Sequence, residues 1–126
     1  MAAEAAPRPV RVFVVSDDHA IINEAKFGFP PEIEVSVAND ARDAWTLMQT
    51  KTPSAVIVDL QTGSAGGFAL AKDMSSDGRL ANVPVLILLE RDQDEWIAKQ
   101  AGAARTRNKR DTSAVIRDVL ELLKTE

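Results

Sequence analysis

The sequence contains no cysteine and a single histidine, His19. Disulfides, thiolate nucleophiles and cysteine-ligated metals are thereby excluded, and one imidazole cannot build a multi-histidine metal centre. The opening stretch from Met1 to Pro9 holds only Ala, Glu, Pro and Arg after the methionine, with no apolar run suited to a signal peptide or membrane span. A disordered tail over 1–9 and a cytoplasmic location are the expectations. A strong excess of one charge is lacking too. A net charge of −4 gives no reason to expect nucleic acid or an anionic membrane as partner. Internal repeats are also absent.

What is present is ordinary for one soluble domain: 126 residues, 45% hydrophobic and 27% charged, with a single domain expected over 10–126. The stretch around which the chain is organised is Val56-Ile57-Val58-Asp59-Leu60, one carboxylate in an otherwise apolar run, followed by the turn formers Gln61 to Gly67. Three β-branched residues in a row predict a strand buried on both faces. An aspartate at the C-terminal end of such a strand stands where open α/β sheets place ligands and chemistry. It could equally open the turn or cap a neighbour, and both readings stand at this point.

Val10 to Val15 predicts a first buried strand, running into Ser16-Asp17-Asp18. A short helix around Ala20 to Ala25 should end at Gly28 and Pro30-Pro31. Ile33, Val35 and Val37 alternate with polar residues, as in a strand near the sheet edge. Asn39 or Asp40 can cap a helix whose Ala41, Ala44, Trp45 and Met48 share one face. Further along, Phe68, Ala71 and Met74 predict a third helix, Val83 to Leu89 a fourth strand, and Asp94 to Ala101 a fourth helix stopped by Gly102. Ala103 to Arg107 is small and basic, acceptable only as an edge strand. The last helix, Thr112 to Lys124, should bury Ile116, Val119, Leu120 and Leu123 and leave Asp118 and Glu121 to solvent.

Five alternating units predict an α/β fold, a five-stranded parallel sheet with helices on both faces. Right-handed crossovers then gather Ser16-Asp17-Asp18, Asp59, the Leu89-Glu90 end and the Lys109 loop at one rim. A sheet has no structural need of several acids and a lysine there, which favours a site.

With these residues gathered, the chain resembles the receiver domains of two-component response regulators over about Val10 to Leu123. The resemblance implies the (βα)5 flavodoxin-like receiver fold. It also implies phosphorelay signalling by a non-enzymatic, stand-alone receiver whose output is protein–protein interaction. Asp59 would be the phospho-acceptor, and Lys109 would pair with the phosphate. Asp17, Asp59 and the backbone carbonyl of Gln61 would hold Mg²⁺. A sensor histidine kinase or other phosphodonor would be the input partner, and the fourth and fifth helices the surface for a protein partner or homodimer. Neither a DNA-binding domain nor a membrane is expected.

Three family positions are degenerate: Ser16 replaces the first acid, Leu89 replaces a Ser/Thr, and Thr106 replaces an aromatic in a chain without tyrosine. Ser16 brings no charge, so Mg²⁺ affinity should be weakened or lost. Leu89 cannot donate to a phosphoryl oxygen, and Thr106 offers no ring to refill vacated space. The resulting alternative is a pseudo-receiver, an interaction module acting without phosphorylation. A small hydrolase using Asp59 as nucleophile lacks a second activated base.

Several residues keep two readings. His19 is an exposed first helical turn, or a proton donor or weak metal ligand. Arg105, Arg107, Lys109 and Arg110 form either a solvated edge or a dock for an acidic partner or RNA, although no aromatics interleave to stack bases. Trp45 reads as packing, Trp96 as packing or function. Val115 and Leu122 either widen the core stripe or face a partner.

Overall fold

The computed structural model describes residues 10–59 and 66–124. The expected tail over 1–9 and the Gln61 carbonyl lie outside them. The order is β1 (Val10–Val15), α1 (His19–Gly28), β2 (Ile33–Ala38), α2 (Ala41–Met48), β3 (Ala55–Asp59), α3 (Gly67–Ser75), β4 (Val85–Leu89), a 3-10 turn (Asp92–Asp94), α4 (Glu95–Gln100), β5 (Arg105–Asn108) and α5 (Thr112–Lys124).

The strands pair in parallel in the order β2-β1-β3-β4-β5. β3 and β4, the most uniformly apolar runs, are buried at every residue, whereas β2 and β5 are only half-buried at the edges. Strand alternation splits the core in two. Phe13, Val15, Val56, Val58, Ile87 and Leu89 pack against α2, α3 and α4. Val12, Val14, Ile57, Leu86 and Leu88 face α1 and α5.

The predicted stops and starts have physical counterparts. Asp18 caps α1 by accepting from the Ala20 amide, and Asp40 caps α2 through the Asp43 amide. Gly102, at φ +105°, ends α4: its amide donates to the Lys99 carbonyl and the next amide, of Ala103, reaches back to Ala98. This paired closure consumes Ala103, so β5 begins two residues later than the small residues suggested. β4 likewise begins at Val85 rather than Val83. Pro84 has no amide to give the ladder, and the Val83 amide turns back to the Leu80 carbonyl.

α5 is rotated from expectation. Ala114, Val115, Asp118, Val119 and Leu122 are buried, while Ile116, Leu120 and Leu123 are only partly so. Val115 and Leu122 are therefore core residues. Trp45 also packs against the core, whereas Trp96 is 66% exposed.

Candidate functional site

In the strand order 2-1-3-4-5 the crossovers diverge between β1 and β3, which opens a crevice above their C-terminal ends. The residues leaving those two strands occupy it. Ser16 continues β1, with its backbone amide donating to the Ala38 carbonyl of β2. Asp59 closes β3. Both are fully buried, at 0% exposure.

The Ser16 hydroxyl donates to Asp59 Oδ2 at 2.9 Å and accepts the Asp18 amide at 3.0 Å, so its proton is committed to the aspartate. Lys109 Nζ reaches the same Oδ2 at 3.1 Å. The lysine is delivered by the segment after β5, where its own amide donates to the Leu89 carbonyl at 2.8 Å. Lys109 also faces Asp18 at 3.5 Å and Glu90 at 3.9 Å, both more exposed carboxylates. Burial works to lower the Lys109 pKa. Its bond to Asp59 and the nearby charges of Asp59 and Asp18 outweigh that effect and hold it above the ordinary lysine value. Burial works the other way on Asp18, where the Ala20 amide and Lys109 prevail and hold the carboxyl below its usual range.

Asp17 is exposed on the rim beside this group. Among the described residues, no three His, Cys, Asp or Glu side chains converge on a common cation position. Asp17 and Asp59 nevertheless match what Mg²⁺ accepts, one or two carboxylates with water filling the remaining positions. Ser16 adds no charge to that set. The donor chemistry fits a cation held largely through its own water.

Leu89 is 3% exposed and belongs to the core cluster on the α2–α4 side. The Thr106 hydroxyl donates to Glu95 Oε2 at 3.3 Å. A cavity of about 380 Å³ opens beside them, lined among others by Asp92, Glu95, Asn108 and Arg110. His19 is the exposed first residue of α1.

The basic run is divided rather than pooled into a patch. Arg107 donates to both oxygens of Asp118, at 2.6 and 2.9 Å, and Arg105 bonds Asp118 at 3.2 Å and Glu121 at 2.6 Å. Asp118, expected in solvent, is 1% exposed. Burial raises its pKa, but the Arg107 bonds and charge dominate and hold the carboxyl below the ordinary range. Two signals could have found this cluster. Arg105 and Arg107 share one face of a strand, and Asp118 falls between Val115, Val119 and Leu122 on the helix. Arg79 caps the C-terminal end of α2 by donating to the Met48 carbonyl and the Thr52 hydroxyl.

No family model matches the chain. The response regulator MprA of Mycolicibacterium vanbaalenii is 31% identical over 85 residues, 67% of this chain. The chain spans only about a third of the length of that curated relative (36%). Among solved structures, a response regulator from Chloroflexus aurantiacus superposes with TM-score 0.82 at 20% identity, covering 93% of this chain and 99% of its own. The receiver domain of Francisella response regulator 1452 gives 0.78 at 25% identity, covering 92% and 98%. The receiver domain of the Pseudomonas aeruginosa sensor histidine kinase PA1611, which holds a magnesium ion in its active-site cleft, gives 0.75 at 15% identity, covering 91% and 98%. The chain has the flavodoxin-like receiver fold, and its sequence is similar to response regulators of two-component signalling. Among the described residues, no helix is long and apolar enough to cross a membrane.

Proposed function

We propose that this chain is an atypical receiver of two-component signalling, with Asp59 as phospho-acceptor and a protein–protein contact as output. One observation carries the reading: Ser16, Asp59 and Lys109 meet at the β1/β3 crevice of a receiver fold. In the reaction, an Asp59 oxygen attacks the phosphorus of a phosphohistidine or a small phosphodonor. A carboxyl O–P bond forms while the donor's bond to phosphorus breaks, and the leaving group takes that electron pair. Lys109 remains beside the new phosphoryl group as a point charge. Asp17, Asp59 and the Gln61 carbonyl would hold a divalent cation, whose chemistry is to neutralise charge on the transferring phosphoryl group. Ser16 weakens that hold by supplying a hydroxyl where a second buried charge would attract the ion.

A second reading, an interaction module independent of phosphorylation, is favoured by Leu89 and Thr106. Leucine donates nothing, and the threonine hydroxyl is engaged with Glu95. Intact mass after treatment with acetyl phosphate and Mg²⁺ separates the two. Added phosphoryl mass on wild type but not on Asp59→Asn supports the acceptor. An unlabelled wild type, under conditions that label a receiver control, removes it and leaves the second reading.

A further inference from the structure

β5 is a strand with two separately employed faces. Arg105 and Arg107 reach α5, as described above. Thr106 and Asn108 reach the opposite way, to the segment that follows β4. There Thr106 bonds Glu95, and Asn108 Nδ2 donates to Asp92 Oδ1 at 2.9 Å. The Asn108 amide group is used at both ends. Its Oδ1 accepts the Arg110 backbone amide at 2.9 Å and Arg110 Nε at 3.2 Å. One side chain thus ties the 3-10 turn before α4 to the loop that carries Lys109.

Lys109 has two sets of partners. One is the buried Asp59; the other is the more exposed pair Asp18 and Glu90. A change in the charge on Asp59 changes the balance between them, and with it the resting position of the lysine and its loop. Leu89 cannot relay that change through a hydrogen bond, since it has no polar side-chain atom. Asn108 can, because it is the neighbour of Lys109 in sequence and bonded to Asp92 in space.

We propose that Asn108 is the positioning residue that couples the Asp59 pocket to the 92–97 segment, and so to the exposed face of α4 around Trp96. The coupling runs through the Asn108–Asp92 bond, with Thr106–Glu95 as a second tie on the same strand face. This deepens the reading of the Asp59 pocket as the input site and rests on it, but its test uses no phosphodonor. A failure of phosphoryl labelling therefore leaves the coupling result standing, and the reverse also holds. Coupling is established by a cycle of variants, not by spatial adjacency.

The perturbation is Asp59→Asn, which removes the charge at nearly constant shape. The readouts are backbone amide shifts over 92–97 in the full chain and Trp96 emission in a Trp45→Phe background. Asp59→Asn is expected to move both. In combination with Asn108→Ala, or with Asp92→Ala at the other end of the bond, the same change at Asp59 should produce at most half the displacement. Near-ultraviolet circular dichroism checks that each variant is folded. If Asp59→Asn does not fold, Lys109→Met supplies the perturbation from the other side of the pair. An Asp59→Asn effect at 92–97 that is undiminished by both Asn108→Ala and Asp92→Ala overturns the proposal, as does the absence of any effect at 92–97 in the folded single variant.

Discussion

Asp118→Asn should destabilise the protein more than any other exchange of a charged side chain for its amide on α5. The carboxylate is 1% exposed and accepts three guanidinium hydrogen bonds, two from Arg107 and one from Arg105. Asparagine keeps the shape but turns an NH₂ group toward donors that have no acceptor to offer. Breaking a buried ion pair by removing one partner costs about 3–5 kcal/mol when the survivor stays dry. Arg107 is 30% exposed at its side chain and can recruit water, so the cost falls below that range, to about 2–3 kcal/mol. For a domain of this size that is a fall of roughly 10 °C in melting temperature.

Urea and thermal melts at pH 7 measure the change directly. A loss under about 0.5 kcal/mol, the scale of an ordinary surface substitution, would refute the argument. The pH dependence is an independent check. Because the folded-state carboxyl titrates below its unfolded value, its contribution is present above the unfolded pKa and is lost as pH falls through the folded one. Wild type should therefore lose stability below about pH 4 that Asp118→Asn never had, and the two melting curves should converge under acid.

Other perturbations test the remaining parts of the molecule. Ser16→Asp should raise Mn²⁺ affinity by about tenfold or more, read by calorimetry, and destabilise the metal-free protein by setting a second carboxylate against Asp59. Lys109→Met removes a cationic partner of a fully buried carboxylate and should cost about 3 kcal/mol at pH 7 in a urea melt. The Lys109 pKa is raised on folding, so its contribution is complete below about pH 10 and lost as pH rises through the folded value; wild type and Lys109→Met should converge in alkali. Arg79→Ala should cost about 1 kcal/mol by freeing the end of α2, with hydrogen exchange rising at residues 48–52.

Most of the architecture was legible in the linear chain because its signals are local. Runs such as Val56-Ile57-Val58 leave little but a doubly buried strand, Asp40 caps the helix it precedes, and Gly102 stops α4. Topology rules then bring Ser16, Asp59 and Lys109 to one rim without knowledge of any distance. The boundaries of β4 and β5 were less legible, since they depend on how Val83 and Ala103 spend their amides in turns.

Tertiary structure alone decided the orientations and partners. Periodicity placed Asp118 on the polar side of α5, but in the folded chain it is buried beneath two arginines of β5. Burial of that charge is tolerable because Arg105 and Arg107, on the strand just before α5, together give it three hydrogen bonds and opposite charge. The same holds at the crevice. That a serine stands at position 16 is a fact of sequence, but its single proton resting on Asp59, beside the Lys109 ammonium, follows from the approach of three elements. Local chemistry selects which segments become strands and helices. The pairing of groups far apart in the chain is set by packing, and the character of this site lies in that pairing.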